Sequence, residues 1–100
     1  MAYRGILLCS LIATLLTGTA FALDGEKYLN DASVELADAR AKALKAFPGK
    51  IVSEELEKES GGSGLRYSFV ISQRATKHEV GIDAKTGAVL ENAVEGESPD

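Results

Sequence analysis

Apolar positions recur at helical intervals in the middle of the chain and alternate with polar ones after it. Val34, Ala37, Ala41 and Leu44 follow one another at spacings of three, four and three, the period of one helix face, and Leu36, Ala43 and Phe47 widen that stripe. Ser33 is a favourable N-cap, Glu35 and Asp38 precede Lys42 and Lys45 in the order the helix dipole prefers, and Pro48-Gly49 stops the run. The pattern predicts a helix over 34–47. Residues 50–59 read as a strand on which Val52, Glu54, Leu56 and Lys58 share a face, and the Ser/Gly run at 60–64 reads as a hairpin loop. Residues 65–72 form the strongest strand: Tyr67, Phe69 and Ile71 alternate with Arg66, Ser68 and Ser72, while Val70 interrupts the polar face. A turn is expected over 73–77.

The stretch 79–90 then reads as a hairpin. Val80 and Ile82 alternate with Glu79, Gly81 and Asp83, Asp83 is placed to cap the turn's amides, and Gly87 supplies the positive φ needed before Val89 and Leu90 resume the strand. These elements predict an α+β fold with one N-terminal helix packed on a three- to four-stranded antiparallel meander sheet, in the order α-β-β-β-β. The expected core is Ala37, Ala41, Leu44, Phe47, Ile51, Leu56, Phe69, Ile71, Val80, Ile82 and Val89.

The run Asp83-Ala84-x-Thr86-Gly87-x-Val89-Leu90, an alanine-rich helix ending in Pro48-Gly49, and the strand carrying Tyr67 together resemble the PepSY domain family. The resemblance covers residues 34–92. It implies an extracytoplasmic bacterial module of the kind found in propeptides of thermolysin-like metallopeptidases and in free-standing periplasmic or surface proteins. It further implies a regulatory or inhibitory role toward a peptidase. No catalytic residue belongs to the family pattern, so Pro48, Gly49, Asp83, Thr86 and Gly87 are expected to shape structure.

The first 22 residues change the count available for folding. Arg4 is a short positive n-region, residues 5–16 are an apolar run of about twelve residues, and Ala20-Phe21-Ala22 offers the small residues a signal peptidase needs. The expectation is a signal peptide over 1–22 cleaved after Ala22, since the run is shorter than the roughly 20 residues that span a bilayer. A polar lead-in over 23–33 and a flexible acidic tail over 93–100 flank the domain, and the protein is expected in the periplasm or outside the cell, off the membrane once cleaved. The remaining 78 residues contain no cysteine, because the chain's one Cys is Cys9. Losing Arg4 leaves ten basic against fifteen acidic residues, which argues against nucleic acid as a partner. So small a domain gains from association, with another protein or as a homodimer.

Candidate chemistry is sparse. The one histidine, His78, would need Ser53, Ser68 or Ser72 beside it to build a nucleophile, and no Gly-x-Ser-x-Gly elbow is present. His78 shares the parity of Val80 and Ile82, which places it over the sheet end. The glycine-rich 60–64 loop lacks the Lys-Ser/Thr and the helix of a phosphate-binding loop. No cofactor is expected. Glu54, Glu55 and Glu57, with Glu59, form the densest acidic patch and are the only metal candidates. The same strand reads equally as a charged sheet edge, open to β-augmentation by a partner. Arg66, Tyr67 and Arg74 are the other candidate contacts. The functional expectation is a non-enzymatic binding module acting on an extracytoplasmic peptidase or a membrane-sensor ectodomain; the alternative is a small ligand- or metal-binding protein using the acidic strand.

Overall fold

In a computed structural model, which describes residues 23–96, one helix lies on one face of a four-stranded antiparallel sheet. The helix α1 spans Leu36–Ala46, and the strands are β1 (Lys50–Lys58), β2 (Leu65–Gln73), β3 (Thr76–Asp83) and β4 (Val89–Val94), ordered in the sheet as in the sequence. This is the expected α+β order. The expected signal peptide and its Ala22 cleavage position lie outside the described residues. Among those described, no helix is long and apolar enough to cross a membrane.

The helix begins two residues later than its pattern suggested. The amides of Ser33 and Val34 both donate to the Ala84 carbonyl at 2.9 Å, and the Tyr67 hydroxyl donates to Val34 O at 2.7 Å, so this segment is held extended by the sheet. Glu35 takes the N-cap position without a side-chain cap. The buried face also differs. Ala39 and Ala43 are fully buried, flanked by Leu36, Leu44, Ala46 and Phe47, whereas Ala37 and Ala41 face solvent. The apolar stripe thus runs 36-39-43-46/47, equally helical in period but rotated from the expected one.

Leu56, Phe69, Ile71, Val80 and Ile82 form the expected core, joined by Leu65, Tyr67 and Ala84. Val89 does not join it. On the edge strand β4 it remains 51% exposed. A bulge lets Ile51 and Ser53 pair with Ile71 and Val70, leaving Val52 unpaired, so Ile51, Glu54 and Leu56 come to one face and Val52 turns outward. The β2–β3 connection is tighter than expected: both strands extend until only Arg74 and Ala75 remain between them, with Arg74 at φ 58°. β4 reaches Val94, so Ala93 and Val94 belong to the sheet and not to the tail.

The lead-in is ordered too. A 3-10 turn over Glu26–Asp31 packs beside β1, and Asp24 forms a parallel bridge with Glu55, accepting from Leu56 N at 2.7 Å and donating to Glu54 O at 3.3 Å. The outer edge of β1 is therefore closed at its centre by the chain's own lead-in.

Candidate functional site

Two loops meet at the end of the sheet where β1 turns into β2 and β3 into β4, and Asp83 ties them together. Its side chain is 1% exposed, and its carboxylate accepts from Ser63 Oγ and Lys85 N on Oδ1 and from Ser63 N on Oδ2, at 2.7 to 2.8 Å, with Thr86 N at 3.1 Å. Burial alone would push its pKa up; the amides and hydroxyl of Ser63, Lys85 and Thr86 override burial and bring it down to about 2. Thr86 Oγ1 accepts from Ala88 N, and Gly87, at φ 82°, donates to Asp83 O at 2.8 Å, closing the turn. Beside this junction lies an open pocket of about 360 Å³ lined by Asp31, Lys58, Ser63, Gly64, Leu65 and Lys85.

At the opposite end, Pro48 O accepts from Gln73 Nε2 at 2.6 Å. Gly49 passes so close to β2 that a Cβ there would stand 2.4 Å from Ser72 O. The helix exit is thereby seated on the sheet.

The acidic cluster of β1 is divided by the pleat. Glu54 turns inward, where both its oxygens accept from Arg40 of the helix, at 2.9 and 2.6 Å. Glu55 and Glu57 point to the other face, and Glu57 accepts from Ser68 Oγ at 2.8 Å. The structure does not bring the three expected metal candidates together. Among the described residues, no group of three or more His, Cys, Asp or Glu is arranged to hold a metal ion.

His78 and the serines are likewise separated. The imidazole stacks on Phe47 with ring centroids 3.7 Å apart and 4° between planes, on the helix-bearing face. Asn92 Nδ2 donates to Ala46 O, which aims Asn92 Oδ1 at His78 Nδ1, 2.8 Å away. Ser53, Ser68 and Ser72 lie at positions of the opposite parity, so His78 cannot reach any of them. It fastens the helix C-terminus to β3 and β4.

The sheet face away from the helix is uncovered among the described residues. Arg66 crosses it over Gly81 to reach Glu91 at 3.2 Å, and its Nε is buried without a partner. Around it stand Glu55, Glu57 and Glu79. Burial first, and then neighbouring carboxylates, raise the pKa of Glu79 (from Glu91, Glu57, Glu95 and Glu55) and of Glu55 (from Glu57, Asp24 and Glu59). Of the other expected contacts, Tyr67 is fully buried and Arg74 is exposed at the tip of the β2–β3 turn. The sequence reading missed the Arg40–Glu54 pair and the Ser63–Asp83 clamp. An acid sharing the parity of Leu56 was the available signal for the first; the second joins residues twenty apart and carries no local pattern.

A family model described as PepSY, peptidase propeptide and YPEB domain, matches residues 33–92, from just before the helix into β4. Neither a curated protein nor a solved structure matches the chain.

Proposed function

Because the chain belongs to the PepSY family, we propose that it is a non-enzymatic module which binds an extracytoplasmic peptidase, or the outer domain of a membrane sensor, and lowers its activity. The match over the whole helix and nearly all of the sheet carries this reading, because the family is associated with peptidase propeptides and with regulation, and its domains are generally non-catalytic. The side-chain geometry supports it: Asp83, Thr86, Gly87, Pro48 and Gly49 are spent on shaping loops, and His78 on fastening the helix. Domains of the family are typically extracytoplasmic. Together with the leader-like residues 1–22, this supports a location in the periplasm or outside the cell. The chain, expressed from Met1 and purified as the host leaves it, should slow substrate hydrolysis when titrated into thermolysin-like metallopeptidases, saturating at a fixed stoichiometry. Unchanged rates across such enzymes and no complex with a sensor outer domain would overturn the reading.

A further inference from the structure

The two edges of the sheet are treated differently. Asp24 occupies the centre of the β1 edge, whereas nothing among the described residues pairs with the outer edge of β4. Glu95 N donates to Lys77 O at 2.8 Å, and antiparallel alternation then turns Glu91 and Ala93 toward β3 and leaves the N–H and C=O groups of Asn92 and Val94 facing off the sheet. Natural edges are often blunted by Lys or Pro, and β4 has neither. Its bulge at Leu90 confines the regular edge to Glu91 onward. Two of the four large apolar residues most exposed in the described chain, Val89 at 51% and Val94 at 41%, lie on this strand on the helix-bearing side.

The other side of the same edge is acidic. Glu79 and Glu91 lie there with Glu95 next in line, opposed by Lys77 and by Arg66, which is already committed to Glu91. Burial first, and then the carboxylates of Glu91, Glu57, Glu95 and Glu55, raise the pKa of Glu79, so a cation brought beside it would be favoured by several acids at once.

We propose that the open edge of β4 takes an extended basic segment of the bound protein as a fifth strand. Its lysines or arginines lie on the face of Glu79 and Glu91, and its small aliphatic side chains lie beside Val94 and Val89. Backbone groups of Asn92 and Val94 supply the pairing, and the glutamates select the charge. This rests on the protein-binding reading above and adds to it a surface and the chemistry of the occupant.

Amide hydrogen exchange on the whole chain tests it, with a blocked eight-residue peptide alternating Lys and Val as probe and its Glu/Val counterpart as control. At a peptide concentration ten times its Kd, exchange of Asn92 and Val94 should slow about tenfold, with Glu91 and Ala93 little changed. The effect should weaken with salt and be missing with the Glu/Val peptide. Unaltered Asn92 and Val94 exchange at millimolar peptide, equal protection by the Glu/Val peptide, or protection that rises with protein concentration alone and so reports a second copy, would each overturn it. Val94→Pro removes one outward donor at a position where an edge strand tolerates proline, and should abolish peptide protection of Asn92. Should that variant not fold, exchange in the unaltered chain still decides. A folded Val94→Pro chain that inhibits its peptidase as well as the parent does would overturn the β4 assignment and leave the regulatory reading standing.

Discussion

Asp83 holds Ser63 by two groups at once, its hydroxyl on Oδ1 and its amide on Oδ2, each at 2.7 Å and across twenty residues of sequence. The residue that shapes the β3–β4 turn is thus also the anchor of the glycine-rich β1–β2 loop. A flexible loop next to a fixed turn becomes a single clamped end of the sheet.

Asp83→Asn keeps the size and one oxygen but sets an NH2 group against backbone donors. It should lower unfolding free energy by about 1–3 kcal/mol in urea titration and raise amide exchange at Ser63 together with that at Lys85 and Thr86. A loss confined to 85–86 would show that the loop is held by something else.

The same carboxylate sets an acid limit. Its folded pKa is about 2 against an ordinary 3.8, so its stabilisation is fully present above pH 4 and disappears as pH falls through 2. The amount is about 2 kcal/mol. Glu55 and Glu79, whose pKa values are raised, act in the opposite sense, their contribution being lost as pH rises through the folded values. The difference between parent and Asp83→Asn chains in urea midpoints from pH 7 to pH 2 isolates Asp83, and should shrink toward zero at the acid end.

Breaking the Arg40–Glu54 pair should be costly because its partners are unequally buried: the Arg40 side chain is 44% exposed and that of Glu54 only 1%. Arg40→Met strands a carboxylate inside and should cost about 3 kcal/mol, the low end for such pairs because water reaches the guanidinium side. Adding Glu54→Leu should recover most of that loss in the thermal midpoint.

Leucine scanning of the helix reads out which face is buried. Ala43→Leu should destabilise by about 1–3 kcal/mol through overpacking, while Ala41→Leu should lie within about 0.5 kcal/mol of the parent. Equal effects at both positions would contradict the rotated stripe.

The exported chain should begin at Leu23. Intact-mass measurement of protein recovered from the envelope fraction checks this directly, and a mass that retains residues 1–22 would show an uncleaved leader.

The elements themselves were legible because each has a local cause: alternation for β2 and β3, Gly87 behind Asp83 for the hairpin, Pro48-Gly49 for the helix stop. The helix face was not, since alanines at 37, 39, 41, 43 and 46 fit two stripes equally well and the choice is made by what the sheet offers. Glu54 on the face of Leu56 was visible in the alternation, but its neighbours Glu55, Glu57 and Glu59 made the whole strand look solvated. Only the distant Arg40 explains why a carboxylate can be buried there. The ordering of the lead-in and the exposure of Val89 depend on which strand ends at an edge, and a local pattern does not contain that.

The Asp24 bridge also bears on which side of the sheet another chain can approach. Asp24 holds the centre of the β1 edge through Leu56 N and Glu54 O, so a strand adding there would first have to displace it. Among the described residues β4 meets no such competitor, so a few residues ahead of the helix decide on which side of the sheet pairing is left open.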